Sequence, residues 1–274
     1  MKRTPTVFLF LSVWLFCSCL KGTTQQPGKF VPSALSTDSL GERDSLGERS
    51  IKLTLPKTSN SALQYAMMEY VSETLGGTFD GDVLDTKAML QFYLDLKDQD
   101  FHDNYIEMDS LLSPKTEYYS DMVVAPLAET ETYITLSCTG FEYWGGAHGS
   151  NLFLGQTFRK SDGRRIGWEV VNHNITDVIR AGLKQYFECT TDDELFQNLI
   201  GIDNIYLIPL PQCPPLFKEE GIMFVYQNYE IAPYAAGQPS FVVGYDVMRP
   251  FLMQPALQLL PPDSGTTAGE TQKP

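Results

Sequence analysis

The chain has 274 residues, with 34 Asp and Glu against 20 Lys and Arg, which gives a formal charge of −14 at pH 7. This acidic balance excludes binding to nucleic acid or to an anionic membrane surface through general electrostatics. Any electrostatic attraction would be towards cationic partners, and the alternative is that the acidity serves solubility alone. The length is sufficient for one or two compact units with a buried core.

The first residues have the composition of an export signal. Two basic residues precede an apolar run, Val7 to Phe16, which has the length of a signal-peptide core and is too short to span a bilayer. The run ends at "FCSCL", where the small residue Ser18 precedes Cys19 in a pattern that resembles the lipobox of bacterial lipoproteins. We therefore expect a signal peptide over 1–18 and acylation of Cys19. The alternative is an ordinary signal peptide with an incidental cysteine.

Acylation of Cys19 would attach the chain to a lipid bilayer, because several acyl chains on one residue anchor a domain firmly. We expect a location in the bacterial cell envelope, on the outer membrane, with the domain facing the periplasm or the cell surface. Removal of residues 1–18 takes away two basic residues and no acid. The anchored form would then carry a formal charge of −16, from 34 acids against 18 bases.

Residues 19–52 are rich in Gly, Ser, Thr, Gln and charge, a composition that predicts a disordered tether. Within it lies a tandem repeat of six residues, "DSLGERDSLGER", which we interpret as a duplicated piece of linker. Each copy contains Asp-Ser-Leu, which resembles a short O-glycosylation signal with Ser39 and Ser45 as acceptors. A second polar segment, 253–274, predicts a disordered tail.

A first α+β unit is predicted over 53–165. Apolar residues recur at helical spacing from Leu63 to Leu75, and a second helical face covers Asp85 to Leu96. The period then changes to an alternation of β-branched or aromatic residues with small polar ones, as strands require. The predicted strands are Thr116 to Val124, Thr132 to Gly140 and Asn151 to Phe158.

A second α+β unit is predicted over 166–252. A helix begins after Asn174, and "TDDE", Thr191 to Glu194, is a capping box that begins another. Two strands follow, Gly221 to Ile231 and Ser240 to Val247. The order of elements indicates an α+β fold with helices packed on antiparallel sheet, built as two successive helix-then-strand subdomains.

The stretch "FEYWGGAHGSN", residues 141–151, combines glycines with aromatic residues and one of the three histidines of the chain. Gly145, Gly146 and Gly149 permit a positive φ or a close approach of the backbone, and they indicate a structural turn. We expect His148 to bond a backbone group and so to stabilise this turn.

The alternative for the same stretch is contact with a ligand. Tyr143, Trp144 and His148 are candidates there, and Tyr229 and Tyr234 in "FVYQNYEIAPY" are candidates on a second surface, since exposed tyrosines suit recognition. Strand alternation places about half of such tyrosines in the core. Tyr234, in a loop flanked by Pro and Gly, is the best exposed candidate.

Catalytic patterns do not emerge from the sequence. His102, His148 and His173 lack the close spacing of zinc ligands, and no Gly-x-Ser-x-Gly stretch occurs. We therefore predict no catalytic residue, no metal and no cofactor. A hydrolase with an unrecognised site is the remaining enzymatic alternative.

Beyond Cys19, the chain has Cys138, Cys189 and Cys213 in its folded part, at spacings that match no zinc pattern. In an oxidising compartment two of them could form a disulfide bond. The sequence leaves open whether one pair is bridged or all three are small apolar core residues.

Two motifs together resemble a known family. "YWGGAHGSN" followed by "GRRIGWEVV", and "GIMFVYQNYEIAPYAAGQPSFVVGYDVM" further on, are similar to the extracytoplasmic domain of unknown function shared by the anti-sigma factor RsiV and the peptidoglycan deacetylase PdaC. The resemblance covers Ile51 to Leu252. A lipobox and a tether here replace the membrane helix and sigma-binding segment of the RsiV type, and the separate deacetylase domain of the PdaC type has no counterpart.

The resemblance implies a non-catalytic module. In the RsiV type this domain binds lysozyme, so the expected partner here is a lysozyme-like cationic hydrolase, in agreement with the acidic charge. In the PdaC type the domain holds an envelope substrate, so the alternative partner is peptidoglycan or another glycan.

Overall fold

The computed structural model describes residues 33–44, 47–108, 117–145 and 147–260. The predicted signal peptide, the acylated Cys19, the glycosylation candidate Ser45, the turn residue Gly146 and the end of the predicted tail fall outside the described residues. Within the described ranges, no helix has both the length and the apolar composition that crossing a bilayer requires.

A mixed sheet forms the central layer. Within the described residues it has six strands, which lie side by side in the order of the chain: β1 (Leu35–Arg43), β2 (Gly47–Pro56), β3 (Tyr118–Glu129), β4 (Tyr133–Tyr143), β5 (Ser150–Arg159) and β6 (Arg165–Ile166). β2 and β3 pair in parallel and the other neighbours are antiparallel. The parallel pair needs a long crossover, which α1 (Ser61–Leu75) and α2 (Thr86–Met108) supply.

The sheet buries one face against these two helices. Alternate strand residues point to this face and meet the apolar stripes of the helices, as the period of two requires. α1 begins at Asn60, whose side chain accepts hydrogen bonds from the Ala62 and Leu63 amides. The first core contains Ile51 and Leu53 from β2, Val124 from β3, Leu136 and Cys138 from β4, Met67 and Val71 from α1, and Met89 and Tyr93 from α2.

The C-terminal half packs against the other face of the same sheet. Its elements are α3 (Thr176–Tyr186), α4 (Asp192–Asn198), β7 (Leu216–Phe217), β8 (Gly221–Val225), β9 (Ser240–Gly244), α5 (Tyr245–Met248) and α6 (Gln254–Leu257). β7, β8 and β9 form a small antiparallel sheet, and Ile179 and Leu183 of α3 enter the second core with Phe224 and Phe241. The predicted α+β class is confirmed, and so is the capping box of Thr191 and Glu194.

The tandem repeat forms a β-hairpin, so the prediction of a disordered tether over 19–52 is wrong for its described strand residues. The first copy, Asp38 to Arg43, lies in β1, and Gly47 to Arg49 of the second copy begin β2. The hexapeptide alone has too little apolar surface to fold. The residues after it decide the outcome, because Ile51, Leu53 and Leu55 alternate into the first core and fix β2 in the sheet. Ser39 lies on the exposed edge strand β1.

The prediction of a disordered tail over 253–274 is also wrong in its first part. α6 begins at Gln254, and Ala256, Leu259 and Leu260 are buried in the second core. These apolar residues cover the end of the C-terminal half, which is why the chain stays ordered beyond Leu252.

The two arginines of the repeat have opposite environments although their flanking sequences match. The Arg43 side chain is 67% exposed and pairs with Glu48 and Glu117. The Arg49 side chain is 2% exposed and pairs with three acids: Glu42, Asp44 and, from α2, Asp98. Arg49 therefore connects the hairpin to α2.

Arg49→Ala should lower the free energy of unfolding by about 2 kcal/mol, because it removes the buried cation and its ion pairs with Glu42, Asp44 and Asp98. Arg43→Ala, at the same position of the other copy, should change it by less than about 0.5 kcal/mol, since exposed ion pairs contribute little. Urea denaturation followed by circular dichroism measures both. Equal losses in the two variants would contradict the role assigned to Arg49.

Candidate functional site

The glycine-rich segment connects β4 to β5 as a tight corner. Gly145 has φ +93°, a conformation that other residues adopt rarely. A Cβ on Gly149 would lie 2.3 Å from Cζ of the Phe141 ring and 2.8 Å from the Glu142 carbonyl oxygen. The corner therefore excludes side chains at Gly149 by close packing and disfavours them at Gly145 by backbone conformation.

Three of the predicted contact residues come together beside this corner. The His148 ring stacks on the Tyr234 ring, with centroids 4.0 Å apart and planes 18° apart. The ring centroids of Tyr229 and Tyr234 are 5.9 Å apart. His148 is exposed, and 57% of Tyr229 is exposed, whereas Tyr234 is half-buried, so the prediction of Tyr234 as the best exposed candidate is wrong. We call His148, Tyr234 and Tyr229 the aromatic row.

One carbonyl oxygen holds two of these rings. The Tyr234 hydroxyl donates to the Gly149 oxygen at 2.8 Å, and Nδ1 of His148 donates to the same oxygen at 2.9 Å. The carbonyl of a residue that must be Gly thus connects the β4–β5 corner to the C-terminal half. The His148 and Tyr234 rings are therefore held in place by the fold itself.

Tyr229 adopts an unusual backbone conformation, with φ +65°. It is the third residue of a turn in which the Glu230 amide donates to the Gln227 oxygen at 3.1 Å. Gly or Asn normally occupies a turn position with positive φ, because a Cβ there costs about 1–2 kcal/mol. An exposed tyrosine therefore occupies a position where the backbone disfavours it.

Trp144 belongs to a different group, on the helix face of the sheet. The ring centroids of Trp144 and Tyr118 are 4.4 Å apart, and Nε1 of Trp144 donates to the Glu142 carboxylate at 3.4 Å. Lys97 of α2 pairs with the same carboxylate at 2.5 Å. Alternation along β4 places Tyr143 on the opposite face from Glu142. Trp144 therefore belongs to the helix face, whereas alternation places Tyr143 on the face of the sheet that the C-terminal half covers.

The Glu142 group is suited to charge pairing and not to proton donation. Burial alone would raise the pKa of Glu142, but bonds from Lys97, Trp144 and Ser120 outweigh it and hold that pKa below its ordinary value. The carboxylate is therefore ionised at neutral pH. Sequence reasoning does not identify Glu142 or Lys97 as a pair. The period-two alternation of β4 places Glu142 and Tyr143 on opposite faces of the sheet. It therefore predicts the face of Glu142 but not its pairing with Lys97.

Cys138, Cys189 and Cys213 are unbridged, and Cys189 is half-buried, so it is not a core residue like the other two. Cys138 and Cys213 are buried, and burial raises the pKa of their thiols to about 11 and about 12. Both are protonated at neutral pH and pack as small apolar residues. Among the residues that the structure describes, no group of three or more His, Cys, Asp or Glu side chains is placed to hold a metal ion.

The first described residues lie at the opposite end of β4 from the aromatic row. The backbone amide of Ser33 donates to buried Glu129 at 3.0 Å, where β3 ends, and Lys160 pairs with the same carboxylate at 2.6 Å. Thr132, in the adjacent turn, donates to the Leu259 oxygen at 2.5 Å. The 11 residues of β4 separate this end from the corner by about 35 Å.

His148→Ala should lower the melting temperature by about 2–4 °C, the change expected for one lost hydrogen bond and one lost ring contact in a domain of this size. His173→Ala is the matched control and should cause a smaller change, since exposed His173 makes a longer bond, 3.3 Å to the Trp168 oxygen, and a more distant ring contact, with centroids 6.0 Å apart. Differential scanning calorimetry measures both. A His148 variant that melts as the wild type but no longer binds a partner would contradict the structural role.

The comparisons with known proteins agree with this architecture. Residues 172–246, which include α3 and the turn with Tyr229, match the family model described as "Protein of unknown function (DUF3298)". Among curated proteins, none matches the chain.

Two solved structures are similar to the fold. A member of the DUF3298 family from Bacteroides fragilis has a TM-score of 0.60 and 19% identity over 84% of this chain and 97% of its own. A DUF3298 family protein from Pseudomonas aeruginosa has a TM-score of 0.55 and 12% identity over 84% of this chain and 99% of its own. The chain thus has a DUF3298 match in its C-terminal part and the fold of solved DUF3298 proteins over most of its length.

Proposed function

We propose that the chain is a non-catalytic binding protein of the bacterial cell envelope, of the RsiV/PdaC type, attached to the outer membrane through acylated Cys19. The observation that supports this most is the aromatic row. His148 and Tyr229 in it are exposed, the Gly149 carbonyl bonds His148 and Tyr234, and the row lies at the far end of β4 from Ser33. A chain anchored through Cys19 enters the domain at Ser33, so the row would face away from the membrane, towards the periplasm or the cell surface.

The first candidate partner is a lysozyme-like cationic hydrolase. The resemblance to the RsiV type and the surplus of acids over bases, 34 against 20, both support it. Opposite net charges accelerate the encounter of two proteins and make their binding sensitive to salt. Such a protein would hold a hydrolase at the envelope without chemistry of its own.

Binding of the full chain to lysozyme should weaken at least ten-fold between about 50 mM and 500 mM NaCl, because salt screens the attraction between the two net charges. Surface plasmon resonance with immobilised chain measures the affinity and both rate constants, and most of the change should appear in the association rate. Absence of a complex at both salt concentrations would remove this partner.

The second candidate partner is peptidoglycan or another glycan, which the aromatic row favours. Aromatic rings with adjacent polar groups bind sugars through their faces, and such contacts depend little on salt. The same anchored location would place the row against the cell wall or surface glycans.

The full chain should be retained on purified, protein-free cell wall at both low and high salt, since ring stacking does not depend on net charge. Sedimentation of the wall, with the bound fraction determined by gel densitometry, measures this. Retention that disappears at about 500 mM NaCl would indicate charge-driven adsorption and contradict glycan binding.

A further inference from the structure

Tyr229 combines a disfavoured backbone conformation with a ring that is largely open to solvent. The turn that holds it is well built, since the Glu230 carboxylate accepts from the Gln227 amide at 2.7 Å while the Glu230 amide closes the turn. Gly or Asn in place of Tyr would relieve the strain without breaking these bonds. Strained residues of this kind cluster at ligand sites, where the side chain is kept for a purpose other than stability.

The surface around the aromatic row is polar but nearly uncharged. The two loops that form it, residues 147–151 and 227–234, contain a single carboxylate, Glu230, and neither Lys nor Arg. Both oxygens of Glu230 are engaged by backbone amides, those of Gln212 and Gln227, each at 2.7 Å. This carboxylate is therefore committed to the turn and is not available to a cationic side chain of a partner.

Two carboxamide residues, Asn151 and Asn228, lie in the same two loops as the rings. The Asn228 side chain makes one long bond, 3.4 Å, to the Asn151 oxygen, and the Asn151 side chain is exposed. A carboxamide offers donors and an acceptor together, which suits hydroxyl and acetamido groups. Ring faces with neighbouring amides form the combination that a pyranose needs, because its C–H face packs on the ring and its hydroxyls need polar partners.

From these observations we infer that the aromatic row is a saccharide-stacking site, which takes a sugar ring of a neutral glycan chain against Tyr229 and its neighbours. The inference rests on the glycan-binding form of the proposed function and assigns its residues. Charge complementarity to a cationic protein would place carboxylates beside the rings, and the carboxylate of these two loops, Glu230, is instead bonded to backbone amides.

The test uses the full chain and a soluble tetrasaccharide of β-1,4-linked N-acetylglucosamine, with binding measured by isothermal titration calorimetry. Tyr229→Asn should weaken binding at least ten-fold, while its melting temperature stays unchanged or rises because Asn tolerates the positive φ. Tyr229→Phe keeps the ring and should bind within about two-fold of the wild type. Tyr65→Ala, which removes another tyrosine that is 48% exposed, on α1, is the matched control and should bind as the wild type.

The outcomes separate this inference from the proposed function. If the wild type is retained on cell wall and Tyr229→Asn binds the tetrasaccharide as tightly as the wild type, the stacking site is overturned while glycan binding stands. Wild type that binds lysozyme but neither cell wall nor tetrasaccharide would overturn the stacking site in favour of the protein partner. Ten-fold weakening by Tyr229→Phe would overturn stacking as the contact.

Discussion

Where β7 packs on it, the central sheet is buried on both faces, and this constraint decides where the polar groups of β4 and β5 find partners. Thr135 and Thr157 carry fully buried hydroxyls on the face away from α1 and α2. They bond each other at 2.9 Å, and the backbone of Phe217 in β7 accepts from Thr135 at 2.6 Å and donates to Thr157 at 3.1 Å. A buried hydroxyl without a partner would cost about 1–3 kcal/mol, so these bonds fix the position of β7 on the sheet.

The aromatic row is a consequence of this docking. β7 pairs with β8 and so positions it. After β8, the Gln227 side chain bonds the Phe153 backbone of β5 as a neighbouring strand would: its Oε1 accepts from the Phe153 amide at 3.3 Å, and its Nε2 donates to the Phe153 oxygen at 2.5 Å. Gln227 also begins the turn that carries Tyr229. The second half of the chain thus reaches the β4–β5 corner with its rings already oriented, and the Gly149 carbonyl completes the contact. A change in the docking of β7 would therefore move the row as well.

The sequence predicts those features that are decided locally. The helical stripe of α1 with its Gly-Gly end, the Thr191 capping box and the strand alternation of β4 each depend on residues within one element. The hairpin of the repeat could not be predicted in this way, because Asp38–Arg43 and Asp44–Arg49 have one sequence and two environments. Only the apolar alternation after Arg49 distinguishes them, together with the distant acid Asp98.

The candidate site could be predicted in its residue types and not in its arrangement. His148, Tyr229 and Tyr234 are recognisable as aromatic residues in Gly- and Pro-containing loops, but their meeting depends on a contact between residues 85 positions apart. Trp144, adjacent in sequence to the same glycines, is directed to the other face by strand alternation. The positive φ of Tyr229 has no signal in the sequence, since "QNYE" contains neither Gly nor a turn residue at the position that needs one.

The net charge of the domain and the charges beside the aromatic row affect binding in different ways. Several acids of the described chain are committed to internal pairs, such as Glu129 with Lys160 and Asp192 with Lys184, and Glu230 is committed to its turn. The remaining acids give a long-range field that acts on the rate of encounter, while short-range contact at the row acts on the lifetime of a complex. A cationic protein would therefore be attracted to the domain as a whole, whereas a neutral glycan would gain nothing from the field and would depend on the rings. Because the residues that could bind by contact are the uncharged ones, the geometry of the row favours the glycan as the partner held there.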